Sequence, residues 1–132
     1  MKYVYPAIFR KTNEAKELWY VDFPDVDGAF TDGKSLYEAL EMAEDVLASM
    51  LVCWEDFKAG RLDTPMKNRI VDPTPIEQVK AEPDEFSTSA FVTLIKVDTD
   101  AYRKMLDAKK ILRRRRLWAR HEKIFTHRKR DA

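Results

Sequence analysis

The chain has 132 residues, 45% of them apolar, and its 24 Lys and Arg nearly balance 23 Asp and Glu. That size suits one domain with a real core and a short appendage, and three Trp, five Tyr and seven Phe exclude a wholly disordered chain. The near-neutral balance conceals a split: residues 1–108 hold 13 basic against 21 acidic groups, a net of −8, and residues 109–132 hold 11 against 2, a net of +9.

Tyr3–Phe9 is a short aromatic and apolar run that predicts a strand, with Tyr3, Tyr5, Ala7 and Phe9 on one face and Val4 and Ile8 on the other. Pro6 within it predicts an edge or a bulge, where one N–H is not needed. Residues 10–17 read as a hairpin connection, and Leu18–Asp22 as the returning strand. Val26–Thr31 reads as a third short strand with Gly28 at a turn or bulge, and Asp32-Gly33 as a turn.

Ser35-Leu36-Tyr37-Glu38 is a capping box, in which the hydroxyl takes an orphan helix N–H and the carboxylate reaches back to the cap. The helix behind it gathers Leu36, Ala39, Leu40, Ala43, Val46, Leu47, Met50, Leu51 and Trp54 on one broad stripe, to close over a sheet. Gly60 is its expected stop. Cys53, the single cysteine, excludes an internal disulfide, and its apolar neighbours predict a buried thiol.

Four prolines between residues 61 and 89 predict a long surface connection with at most a turn of helix near Ile76–Val79. Ser89–Val97 is a fourth strand; apolar residues on both faces place it inside the sheet. Asp98, Thr99 or Asp100 caps a second helix that begins near Ala101 and runs toward four successive arginines. The pattern thus predicts an α+β fold with three strands, a helix, a fourth strand and a C-terminal helix or basic arm. Residues 1–108 form the folded body and residues 109–132 a basic extension. No apolar run approaches the roughly 20 residues of a membrane helix, and the first residues lack a signal peptide's apolar stretch, so a cytoplasmic protein is expected.

Several of these segments together resemble the HicB antitoxin family. Tyr5-Pro6-Ala7-Ile8-Phe9, Phe23-Pro24-Asp25, Thr31-Asp32-Gly33, Glu38-Ala39 and Ala43 stand in the family's order and spacing, and Phe91–Val97 with Asp98–Tyr102 is similar to its last strand and exit. The resemblance spans about residues 1–108. It implies a partial ribonuclease H-like domain of βββαβ order. It further implies neutralisation of a small basic toxin, HicA, which is similar to a double-stranded-RNA-binding domain and cleaves messenger RNA. Many members add a ribbon-helix-helix or helix-turn-helix module that binds their own operator. Residues 109–130 show no strand alternation, no proline and no second helix. They are either a divergent basic arm or the remnant of a lost module.

An acidic body suits a basic partner, because opposite charge speeds encounter and disfavours wrong partners. Candidate toxin contacts are the hairpin aromatics Trp19 and Tyr20, with Tyr3 beside them; the helix carboxylates Glu38, Glu41 and Asp45; and the acidic run Glu82, Asp84 and Glu85. The bland readings are a core indole for Trp19 and an ordinary solvated helix face for the carboxylates. Candidate nucleic-acid contacts are Lys109, Lys110, Arg113, Arg114, Arg115, Arg116, Trp118, Arg120, Arg128, Lys129 and Arg130, with binding that falls steeply with salt. An arm that instead touches an acidic body would promote self-association, and a homodimer or larger assembly is expected.

Catalysis is not expected. Asp22, Asp25, Asp27 and Asp32 are local to one turn region, whereas two-metal hydrolysis needs carboxylates from separate strands. Asp25 and Asp32 read as turn-formers. His121 and His127 have no cysteine nearby, so neither a metal nor any other cofactor is expected. The rival to an antitoxin is a transcriptional regulator that binds nucleic acid through the basic arm and has no toxin partner.

Overall fold

The computed structural model describes the backbone of residues 1–131 and the side chains of residues 1–116. Its elements are β1 (Lys2–Thr12), β2 (Trp19–Asp22), β3 (Phe30–Gly33), α1 (Leu36–Lys58), a 3-10 turn (Ile76–Gln78), β4 (Ser87–Asp98) and α2 (Thr99–Asp131). The fold is α+β: all strand pairs are antiparallel, in the order β3-β2-β1-β4. Two compact units divide after Thr99.

Aromatic residues on one face of β1 make the core. Tyr5, Ala7 and Phe9 point inward with Trp19, Val21 and Ile95, and α1 lays Ala39, Ala43, Leu47 and Leu51 over them. Phe9 stacks on Phe91 at 5.2 Å between ring centroids, and Trp19 meets Phe91 edge-on at 5.7 Å. The expected cap is present: the Ser35 hydroxyl accepts the Glu38 N–H at 3.1 Å. Gly60 follows the helix at φ +71°, where a residue with a Cβ would be strained.

Small residues let α1 approach β3 closely. A Cβ at Gly33 would run into the backbone of Ala39. Asp32-Gly33 is therefore the end of a strand pressed under a helix, not the expected turn. The third strand also starts later than expected. Val26–Ala29 is a tight loop closed by Phe23 N–H to Ala29 O at 3.1 Å and Ala29 N–H to Val26 O at 3.1 Å, with Gly28 at φ +83°.

Two strand placements differ from the sequence expectation. β1 is central, not an edge, although β2 flanks it only from Ile8 to Lys11. Pro6 lies outside that doubly paired stretch, where one side of the strand has no partner and a missing N–H is tolerated. β4, expected inside the sheet, is an edge strand paired only to β1. Segment 71–86 reaches β4 from elsewhere in the chain. That segment is pinned at Asp25 and Arg10, and its 3-10 turn lies against β4. Pro6 and Ile8, on the face of β1 away from α1, are buried as well.

Cys53 is exposed, against expectation. It follows the buried Leu51 by two residues, about 200° around a helix of 3.6 residues per turn. Leu36 and Leu40, assigned to the core stripe, are exposed by more than a third. The inward positions at that end of α1 belong to Ala39 and Ala43.

Candidate functional site

The sheet has an inner face under α1 and an outer face. Register alone places residues on the outer one. Arg10 lies opposite Tyr20, Tyr20 opposite Asp32, Ile8 opposite Asp22, and Asp22 opposite Phe30. The Arg10 guanidinium donates to Asp22 at 2.7 Å and, more weakly, to the Glu82 carbonyl at 3.3 Å. Asn13 fastens the next stretch, with its side-chain amide donating to Glu85 O at 3.3 Å and its N–H to Phe86 O at 3.1 Å. These bonds bring the acidic run 82–85 beside the first hairpin.

The result is a shallow depression of about 330 Å³ lined by Arg10, Thr12, Asn13, Glu14, Tyr20, Asp84, Phe86 and Ser87. Tyr20 is 47% exposed and Phe86 65%. Phe30, on β3, is 71% exposed. The Asp84 carboxyl is held below its ordinary value, first by a hydrogen bond with the Ser87 hydroxyl and then by the Phe86 N–H, which donates at 3.0 Å. Exposed aromatic rings are enriched in protein-binding patches.

The candidate contacts thus separate. Tyr20 and Asp84 line this depression, and the backbone carbonyls of Glu82 and Glu85 are bonded beside it. Trp19, the next residue to Tyr20, points the other way: it is 8% exposed, a core residue rather than an exposed aromatic, and its indole N–H donates to Glu17 at 2.9 Å. Tyr3 donates to Glu55 at 2.7 Å. Glu38, Glu41 and Asp45 are exposed on α1, beside the exposed Tyr37 and Met42. They belong to the opposite layer of the body. Phe30 and Phe86 escaped the sequence reading. Phe86 did carry a signal, an aromatic residue inside an otherwise acidic and polar run; Phe30 was masked by being read as mid-strand.

The four aspartates also separate. Asp25 is buried, and its two oxygens accept the Thr74 N–H at 2.8 Å and the Thr74 hydroxyl at 2.6 Å. It is a latch across 49 residues, not a local turn-former. Nearby, the Tyr5 hydroxyl donates to Val71 O at 2.9 Å, and burial, then the Asp72 and Asp25 carboxylates, push this phenol above its ordinary range. Asp22 is paired to Arg10, and Asp27 and Asp32 are exposed. Among the described residues no group of three or more His, Cys, Asp or Glu is arranged to hold a metal ion, and no helix is long and apolar enough to cross a membrane.

α2 runs unbroken through the arginine run. Lys109, Lys110, Arg113, Arg114, Arg115 and Arg116 are all exposed. Lys109, Arg113 and Arg116 recur at i, i+4 and i+7, so they share one side of the helix. The side chains of Trp118, Arg120, Arg128, Lys129 and Arg130, like those of His121 and His127, lie outside the described residues.

An antiparallel sheet backed by one helix, with rings and carboxylates gathered on its outer face and a basic helix after it, makes a small α+β binding module. Residues 5–123 match the family described as HicB_like antitoxin of bacterial toxin-antitoxin system. The chain belongs to this antitoxin family. A chain from the Toxin-Antitoxin complex from Streptococcus pneumoniae is similar in fold, with a TM-score of 0.52 and 21% identity, over 77% of this chain and 73% of that one. No curated protein matches.

Proposed function

We infer that this antitoxin binds and masks a small basic, messenger-RNA-cleaving toxin of the HicA kind, and that the outer sheet face is where it does so. The observation that carries this is the depression that Tyr20, Phe86 and Asp84 line together. Partly exposed rings offer large apolar area at little entropic cost. The carboxylates beside them suit basic groups that a ribonuclease would otherwise turn toward RNA phosphates, so the contact that recognises the toxin would also cover its substrate surface. The net of −8 on residues 1–108 supports fast encounter with such a partner.

The test is a titration against a small basic toxin of the HicA kind, read out by RNA cleavage and by calorimetry. The double variant Tyr20→Ala with Phe86→Ala is expected to weaken binding by about 100-fold, each hot-spot ring contributing roughly 1–2 kcal/mol. Neutralising Glu38, Glu41 and Asp45 together is expected to change it less than about threefold, as for exposed rim charges. The reverse pattern would move the interface to α1.

The continuous exposed basic side of α2 favours a second activity, operator binding by Lys109, Arg113 and their neighbours. It would show a steep fall with salt, because released counterions drive it. Replacing Arg113 through Arg116 by alanine is expected to abolish DNA retention and leave toxin binding intact. If neither form bound the small basic protein, a regulator without a toxin partner would be the better reading.

A further inference from the structure

The depression lined by Tyr20, Asp84 and Phe86 holds an orphaned polar group. Thr12 also lines it, and alone among the lining residues it is buried, at 5% exposure. Its N–H donates to Leu18 O at 2.9 Å, but among the described residues its hydroxyl has no hydrogen-bond partner. No other buried side-chain polar atom of the described residues is left in that state. A hydroxyl shut away from water without a partner is unfavourable, and folded chains tolerate few of them. The β1–β4 register also shifts between Lys11 and Thr12, the kind of irregularity that re-aims a side chain beside a site.

The charged groups around that hydroxyl favour a cation. Glu14 and Asp84 line the depression with Arg10, and Arg10 is already committed, to Asp22 at 2.7 Å and to the Glu82 carbonyl at 3.3 Å. The turn that carries Asp84 is fixed: the carboxylate accepts the Phe86 N–H at 3.0 Å, and the Asp84 N–H donates to the Ser87 hydroxyl at 2.8 Å. A carboxylate has about four lone-pair positions, so acceptor capacity remains for an incoming donor. Tyr20 and Phe86 add exposed rings. Acceptors and rings together select a flat cation with many donors. A guanidinium is planar, weakly hydrated, rich in N–H groups and packs on aromatic faces, whereas an ammonium is compact and strongly hydrated.

We propose that this depression is a recognition pocket for a guanidinium, that of a single arginine of the toxin, with Thr12 Oγ1, Asp84 and Glu14 as its acceptors. This rests on the outer face being the toxin's contact, and it names the group recognised there. Thr12 sets the specificity. In the complex its hydroxyl gains the partner it lacks in the free chain, so binding relieves an existing defect as well as making a bond. The same hydroxyl contributes nothing to the free fold. Removing it therefore acts in opposite directions on affinity and on stability, a signature that a threonine bonded within the chain does not have.

Thr12→Val, which keeps the shape and removes the hydroxyl, is the deciding variant, measured in the full chain. Its melting temperature is expected to equal or exceed that of the wild type, while its affinity for a toxin of the HicA kind falls about tenfold. In the toxin, arginines are replaced by lysine one at a time. One replacement is expected to weaken binding to the wild type about tenfold and to add little in the Thr12→Val background, because both changes remove one contact. A lowered melting temperature would show that the hydroxyl is already bonded within the chain and would overturn the proposal, as would toxin arginines that all tolerate lysine. The wild type is also titrated by NMR with two small cations at constant ionic strength. Ethylguanidinium is expected to shift the amides of Thr12, Asn13, Tyr20 and Phe86 and to bind about threefold more tightly than butylammonium. Equal responses to the two cations, or none at these amides, would overturn the pocket. Ethylguanidinium binding there without toxin binding would remove the toxin reading and leave a guanidinium pocket. Toxin binding that depends on Tyr20 and Phe86 but on no arginine would keep the toxin reading and remove the pocket.

Discussion

The two units of this chain are built on opposite principles. Met1–Thr99 owes its form to burial: Phe9, Leu47, Leu51 and Val21 are almost fully removed from water, and Asp25 and Tyr5 tie a long irregular segment to them. Asp100–Ala132 contains no buried residue among its described side chains. Its helix rests on backbone hydrogen bonds and on the fair propensity of Lys, Arg, Leu and Ala, set against repulsion among clustered like charges. The first unit is expected to melt cooperatively and the second to fray by degrees, since an exposed helix gains little from tertiary packing.

Substitutions sharpen that contrast. The largest effect belongs to Phe9→Ala, which empties the space against Phe91 and is expected to cost about 3–5 kcal/mol in chemical denaturation. Asp25→Ala comes next. It strands the Thr74 donors and is expected to cost about 2–3 kcal/mol, with faster proteolysis of residues 61–86 as a second readout. Ser35→Ala, which removes the cap of α1, is expected to cost about 1 kcal/mol. Tyr5→Phe is expected to cost a similar or smaller amount at neutral pH, and its signature is alkaline. The folded phenol titrates above its unfolded value, so its contribution is complete below about pH 10 and is lost as pH rises from there toward the folded value. The wild type should therefore lose stability over that window, and the variant should lose less. At the small end, Arg115→Ala on the exposed helix is expected to shift the main melting transition by less than about 0.5 kcal/mol. A large shift there would mean that the two units are not independent.

The sequence reading succeeded where the signal was local. Ser35 and Glu38 marked the start of α1, and alternation in Tyr3–Phe9 named the inward face of β1. It failed where the answer depended on a distant segment. Pro6 argued for an edge, but the shortness of β2 makes room for it in a central strand. The two apolar faces of β4 argued for a central strand, but among the described residues only β1 pairs with it. Trp19 and Tyr20 are adjacent and alike in composition, and only the register with β1 sends one ring into the core and the other to the surface. The candidate site was half legible: Tyr20, Asp84 and their neighbours were named, but nothing in the sequence said that Asn13 and Arg10 would bring residues 82–86 beside the hairpin.

The amino-acid sequence by itself determined the charge division, the cap of α1, the strand periodicities and the signature that places the chain among HicB-like antitoxins. These are properties of neighbouring residues and survive without any knowledge of what packs on what. Tertiary structure decided the strand order, the open edge of β4, the exposure of Cys53 and the gathering of rings and carboxylates on the outer face. Each of these depends on which apolar surfaces find one another across the chain, and that competition is settled by burial and backbone pairing between segments far apart in sequence.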